Sequence, residues 1–495
     1  MRTPYFVDDT VTLYEGDCLD VLPAALKDAS VDAVVCDPPY GLEFMGRGWD
    51  SPWERGDDIC VDAAFTAVGM KDGRRLPRPT YTGTTNPKCI NCGGTRRGRR
   101  DGAAIVKVCT CAEPAFPNVR GTEMQAFQEW CRRWAAECMR VLKPGGHLLA
   151  FGHPRTWHRL AAAIEDTGFE LRDSIAWLYG SGFPKSLDVA KAIDSGSRRP
   201  EDIRRMRMGD TYVPSGRGRV NYDPGAGSVM NGDSDHLWTP SSTATKWQGW
   251  GTALKPAFEP IVVARKPLAG NVAANVLAHG VGALNIDGCR IHTAGSEARE
   301  YTVKRLAPGA TINKTGEWKQ DDAEYRGTTT AGRWPTNVVL DESQAAELDA
   351  QTGVLKSGAN PTRRRSDKFR NTYGAFAGQS ECVAHRDADA GGASRFFPVF
   401  RYNAKASDAE RPTVNGVTHP TVKPLDLMRW LVRLVTPPHG VVLDPFGGSG
   451  TTAEAAIYEH KRAIVIERDP DYLSLTMARL SKPMEVGFDF EEPAS

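Results

Sequence analysis

Long apolar runs are absent from this 495-residue chain, and none approaches the roughly 20 residues that a bilayer-spanning helix needs. The opening Met1-Arg2-Thr3-Pro4 lacks the apolar stretch of a secretion signal, so the expected location is the cytoplasm, away from any membrane. A charge excess of one sign is also lacking: 62 Lys and Arg against 61 Asp and Glu leave a net charge of +1, so the chain as a whole is no electrostatic magnet for nucleic acid. No internal repeat is visible. His153, His158 and His419 have no spacing that pairs a nucleophile with its base. Eleven cysteines without a signal peptide argue for reduced thiols or metal ligands rather than disulfides.

What is present lies mostly at the two ends. Val11–Tyr14, Cys18–Leu26 and Val31–Cys36 read as strand, helix and strand, the unit of a parallel sheet. Glu123–Leu142 repeats apolar residues every three or four positions and predicts a helix, stopped by Lys143-Pro144-Gly145-Gly146. A strand at His147–Phe151, a helix at Arg155–Thr167 and a strand at Phe169–Leu178 follow. The pattern resumes with a helix at Pro424–Val435, a strand at Val441–Leu443, a helix at Thr451–Glu459, a strand at Ala463–Ile466 and a helix at Pro470–Leu480. Neither block alone has enough strands for a doubly wound sheet, but together they do. Between them, only Ile261–Ala264 reads clearly as a buried strand, with brief apolar pieces at Asn337–Leu340 and Phe396–Tyr402. Polar segments of that length inside one compact domain are unusual, so the middle is expected to hold a separate irregular module with Trp238, Trp247 and Trp250 as its core anchors.

Two motifs carry chemistry. Asp37-Pro38-Pro39-Tyr40 follows a buried strand; its prolines stiffen the turn and leave carbonyls free to accept hydrogen bonds. The Asp37 carboxylate and the Pro38 carbonyl suit an exocyclic amine, and Tyr40 suits stacking on a base. Asp444-Pro445-Phe446-Gly447-Gly448-Ser449-Gly450-Thr451-Thr452 is strand, glycine turn and helix start, which lets the backbone approach an anionic or adenosine-bearing ligand. Glu467 closes the next strand, where an acidic side chain suits a ribose diol. The turn departs from Gly-x-Gly-x-x-Gly, which disfavours a nicotinamide enzyme.

The pairing of Asp37-Pro38-Pro39-Tyr40 with Phe446-x-Gly448-x-Gly450 resembles the amino-group DNA methyltransferases that use S-adenosylmethionine. The catalytic motif comes first and the cofactor motif last, as in their β group. His419-Pro420-Thr421-Val422-Lys423-Pro424 matches a further element of that group, and Trp334–Val338 and Phe400–Ala406 resemble stretches of phage and mobile-element methylases. The resemblance implies a permuted, Rossmann-like α/β methyltransferase fold. Residues 1–69 and 122–179 would form its catalytic half, 180–415 an inserted target-recognition region, 416–482 the cofactor half and 483–495 an acidic tail. The implied catalytic set is Asp37, Pro38, Pro39 and Tyr40. Phe446, Gly448 and Gly450, with Asp444 and Thr451 in the same turn, would wrap the methionine part of the cofactor. Glu467 would take its ribose, Asp17 would lie near its adenine, and Thr421 and Lys423 would reach its carboxylate.

Asp rather than Ser at position 37 tilts the target towards adenine N6 in double-stranded DNA, with cytosine N4 as the alternative. An RNA or protein-glutamine methyltransferase, or a DNA-binding protein with a decayed site, are more distant readings. The resemblance sets the protein in a bacterium or phage-infected cell and leaves open a cognate restriction endonuclease and a monomer or dimer. Cys89-x2-Cys92 and Cys109-x-Cys111 bracket a basic hairpin and point to a structural zinc ribbon over 70–121. Arg96–Arg100, the arginines from Arg198 to Arg219, and Arg363–Arg365 are local basic clusters suited to phosphate contact.

Overall fold

The computed structural model describes residues 2–41, 100–101, 104–105, 110–111, 119–180, 182, 186–195, 240–291, 300–304, 324–328, 332–357, 370–371, 374–375, 389–400 and 411–482. Its main unit comprises 1–179 with 258–495, and a smaller one spans 180–257.

The main unit is built on a ten-stranded mixed sheet. In chain order its strands are β1 (Phe6–Val7), β2 (Val11–Glu15), β3 (Val31–Cys36), β4 (Leu142–Phe151), β5 (Glu170–Leu178), β6 (Phe258–Arg265), β7 (Val338–Asp341), β8 (Val399–Phe400), β9 (Val441–Asp444) and β10 (Arg462–Glu467). Their order across the sheet is β1-β2-β10-β9-β3-β4-β6-β5-β7-β8. Strands β2, β10, β9, β3 and β4 run parallel, whereas β6 is antiparallel to both of its neighbours. The expected assembly from both chain ends is therefore what the sheet shows: β9 pairs directly with β3, Val442 opposite Ala33 and Leu443 opposite Val34.

Strand β3 is buried along its whole length, which is why it reads as an apolar run broken only by Asp32 rather than an alternating one. Ala33 and Val35 face one core layer, Val34 and Cys36 the other. Helices α1 (Cys18–Ala25), α2 (Val119–Val141) and α3 (Trp157–Asp166) cover the second face, with Trp134 and Phe127 fully buried beneath α2. Downstream of these come α4 (Val272–His279), α5 (Glu342–Thr352), α6 (Leu425–Val435), α7 (Thr451–Tyr458) and α8 (Pro470–Leu480). The first face is covered by α6 and α7, with Leu473 of α8. The one polar side chain within β3, Asp32, is buried and ties the two halves of the chain. It accepts from the Val441 amide at 2.7 Å and from Lys143 Nζ at 2.6 Å.

Some boundaries differ from the sequence reading. α2 starts at Val119, and the strand expected from His147 starts at Leu142. Lys143–Gly146 form an irregularity in the β3–β4 pairing rather than a turn outside it. Residues 258–400 do not stand apart from the sheet as the 180–415 boundary implied. They supply β6, β7 and β8, the last two only four and two residues long, too short to show periodicity in polar surroundings.

In the smaller unit the Ser241 hydroxyl caps a short helix at Ser242–Thr245 and donates to Asp194 Oδ1 at 2.6 Å. Trp247 and Trp250 are not core anchors: they are 42% and 60% exposed and pack on each other at 5.4 Å between ring centroids. Trp238, Cys89, Cys92, Cys109, Arg96–Arg99, the arginines from Arg198 to Arg219, Arg363–Arg365, Arg401–Ala406 and the acidic tail lie outside the described residues; Cys111 is half-buried. Among the described residues no helix is long and apolar enough to cross a membrane, and no cluster of metal-binding side chains occurs.

Candidate functional site

The carboxyl ends of the parallel strands share one edge of the sheet, and open α/β sheets bind ligands at such edges. Asp37–Tyr40 leaves β3 there, the Asp444–Thr452 turn leaves β9, and Glu467 ends β10. Because β6 is antiparallel, its beginning lies at this edge, and that beginning carries Glu259, opposite Trp177 of β5.

Four side chains meet on the β3 side. Tyr40 Oη donates to Asp37 Oδ1 at 2.8 Å and lies 3.1 Å from Glu259 Oε2. The Lys423 ammonium is 2.8 Å from Asp37 Oδ2, 3.0 Å from Tyr40 Oη and 3.2 Å from Glu259 Oε2. It also sits 4.9 Å from the Phe151 ring centroid. Thr156 Oγ1 donates to the Tyr40 carbonyl at 3.0 Å and fixes the end of the turn. Burial works against the Lys423 charge, but Asp37 and Glu259 outweigh it and hold the ammonium above its ordinary value. Burial pushes the Glu259 carboxyl up, partly offset by Lys423, and pushes the Tyr40 hydroxyl well above the usual phenol range. His153, its ring 6.0 Å from Tyr40, is lowered to about 4 by burial, as is His419. Both imidazoles are thus neutral at physiological pH.

The β9 side is closed by short-range bonds. Asp444 is buried and accepts from the Phe446 amide at 3.0 Å and the Thr452 hydroxyl at 2.5 Å. Glu467 accepts from the Gly448 amide at 2.6 Å and the Asp469 amide at 2.7 Å. Burial raises both carboxyls to about 7 in spite of these bonds. Gly448 and Gly450 adopt φ of 54° and 80°, the left-handed region that glycine enters without strain. A Cβ on Gly450 would lie 2.8 Å from Thr476 Cγ2, and one on Gly447 would lie 2.4 Å from Val465 Cγ1. Phe446 stacks edge-on against Trp134 at 5.3 Å, and Thr451 opens α7.

The remaining expected residues divide. Asp17 caps α1 by accepting from the Leu19 amide at 3.0 Å and lies 3.5 Å from Arg468 Nη1, since β2 pairs with β10, Glu15 opposite Glu467. The Thr421 amide donates to His419 Nδ1 at 3.3 Å, and the His419 imidazole lies against Gly448. Lys423 is found in the Asp37 cluster, where all three of its N–H bonds have acceptors, rather than reaching into the glycine turn. Glu259 was missed, since a lone carboxylate at the mouth of an apolar strand carries no local motif. Trp130 and Trp134, which seat Phe446, belong to the apolar repeat of Glu123–Leu142, which predicts the helix and not this contact.

The two motifs, separate in sequence, thus form neighbouring parts of one edge, with the Asp37 charge felt at Asp444. A family model described as DNA methylase matches residues 31–478. The chain belongs to the DNA methylase family. The Type II methyltransferase M.HindIII of Haemophilus influenzae is 27% identical over 263 residues, covering 52% of this chain and 60% of that protein. This chain therefore spans under two thirds of that relative's length. The DNA adenine methyltransferase YhdJ of Escherichia coli is 39% identical over 62 residues, 12% of this chain and 21% of its own. Among solved structures, the cytosine-N4-specific PvuII DNA methyltransferase aligns over 97% of this chain and 90% of its own, at 12% identity and a TM-score of 0.37. A complex of M1.HpyAVI with SAM aligns over 95% and 100%, at 12% and 0.34. Scores that low carry no argument about the site.

Proposed function

We propose that this DNA methylase transfers a methyl group from S-adenosylmethionine to the exocyclic amino nitrogen of adenine in double-stranded DNA. The observation that carries the reading is the convergence of Asp37–Tyr40 and the Asp444–Thr452 turn on adjacent strands β3 and β9. The cofactor would supply an electrophilic methyl group on a sulfonium. The chain fits it: left-handed glycines allow close backbone approach, α7 presents its N-terminus, and Glu467 stands where a ribose diol would donate.

On the substrate side, the target base must leave the duplex before its amino group can reach the edge. Asp37 and the Pro38 carbonyl would accept the two amine protons and turn the nitrogen lone pair towards the methyl group. The amine would take the methyl group that the bound cofactor supplies, the electron pair of the S–C bond remaining with the departing thioether. The amine nitrogen becomes positive and then releases a proton to solvent. Tyr40, held by its hydroxyl, would keep its ring for stacking on the base. Asp at position 37 and the name of the Escherichia coli relative both favour adenine over cytosine. Residues 180–257 and the loops of 266–415 would contact DNA. The four cysteines Cys89, Cys92, Cys109 and Cys111 add a structural zinc to the proposal, read by metal analysis as about one zinc per chain.

Sequencing that reports modified bases, on DNA from cells expressing the protein, tests this directly. N6-methyladenine at a recurring short sequence is expected. N4-methylcytosine alone would overturn the choice of base, and unmodified DNA with methylated RNA would overturn the substrate.

A further inference from the structure

We propose that Glu259 is a positioning residue for methyl transfer, which shares the Lys423 ammonium with Asp37 and so keeps the Asp37 carboxylate an effective acceptor for the target amine. This rests on the reading of Asp37–Tyr40 as the substrate side.

An ammonium has three N–H donors, and three acceptors surround Lys423: Asp37 Oδ2, Tyr40 Oη and Glu259 Oε2, at 2.8, 3.0 and 3.2 Å. Were Asp37 the sole carboxylate on Lys423, the pair would be neutral, and Asp37 would be a weak acceptor facing a nitrogen that must turn positive. With Glu259 present, two carboxylates face one ammonium and the cluster keeps one negative charge. Preorganised charge of that sign opposite a developing cation, in a site this enclosed, lowers the barrier more than it would in water. Tyr40 is held in the same way. Its hydroxyl oxygen lies 2.8 Å from Asp37 Oδ1 and 3.1 Å from Glu259 Oε2, so the ring cannot swing without breaking both contacts.

The charge on Glu259 depends in turn on Lys423, which opposes the effect of burial. The two residues therefore act as a unit, and their substitutions should not add. Among the described residues Glu259 contacts Tyr40 and Lys423, neither of them in the glycine turn, so cofactor binding should be indifferent to it.

The test is steady-state methylation of plasmid DNA by the full chain, with cofactor affinity and thermal melting measured on the same preparations. E259Q should lower kcat at least about tenfold, with the KM for S-adenosylmethionine and its Kd within about threefold of the parent. E259D, which keeps the charge, should recover most of that loss. E259Q in a K423M background should cost no more than about a further twofold. The proposal is overturned by an E259Q enzyme within threefold of the parent kcat, by E259D and E259Q falling equally, or by full additivity with K423M. Loss of folding or of cofactor binding in E259Q would show a merely structural residue and overturn it as well. A parent protein that methylates no DNA would instead sink the proposed function itself.

Discussion

The two sides of the site are built in opposite ways. On the β9 side the carboxylates are satisfied at short range: Asp444 binds Thr452 eight residues on, and Glu467 reaches back nineteen residues to Gly448. Uncharged donors satisfy the carboxylates there. On the β3 side the contacts cross the chain: Tyr40 meets Glu259 at a separation of 219 residues and Lys423 at 383, and ionised groups hold one another. A cofactor cradle can be written into one strand–turn–helix, because backbone amides and left-handed glycines make it. The site proposed to orient a neutral amine draws its charges from three distant segments, after β3, at the start of β6 and before α6, which only the fold brings together.

The sharpest way to break this contrast is to remove Asp37. D37A should lower kcat by about a thousandfold or more while the cofactor Kd stays within about threefold. If cofactor binding falls with it, the two sides are not separate. Next comes Lys423, which sequence reasoning gave to the cofactor carboxylate and the structure puts against Asp37 and Glu259. K423M should cost about a hundredfold in kcat, with little change in cofactor Kd by isothermal titration calorimetry. A large Kd effect with kcat spared would return Lys423 to the cofactor. G450A should do the reverse. A left-handed backbone costs a residue with a Cβ about 1–2 kcal/mol, and here the methyl also meets Thr476. The expected result is a lower melting temperature and roughly tenfold weaker cofactor binding, with kcat at saturation less affected.

The smallest effect is on pH. Asp444 and Glu467 have folded-state values near 7, above their unfolded values, so the stability they contribute is complete in acid. It is lost as pH rises from about 4 through about 7. In the ligand-free protein E467Q should therefore flatten the fall in melting temperature between about pH 4 and 7. An E467Q melting profile parallel to that of the parent would mean that Glu467 titrates normally.

The same contrast explains what could be read from the chain. Buried β3, the α2 periodicity, the glycine turn and Glu467 were legible because each is a short-range pattern: an apolar run, a 3.6-residue spacing, a strand–turn–helix. Strands β7 and β8 showed only as brief apolar pieces, since two to four residues are shorter than any period they could display. The role of Glu259 was not legible, for its meaning comes entirely from the antiparallel placement of β6 beside β4. Trp247 and Trp250 show the converse error: tryptophans in an irregular segment suggest a core, yet these two stand in solvent.

The central claim, that the two sides combine to methylate a base amino group in DNA, is tested most directly by nucleoside mass spectrometry after incubating DNA with labelled S-adenosylmethionine. The parent protein should yield labelled N6-methyladenine and D37A none. A parent protein that leaves no labelled nucleoside in DNA, or one whose product survives D37A, would contradict the account.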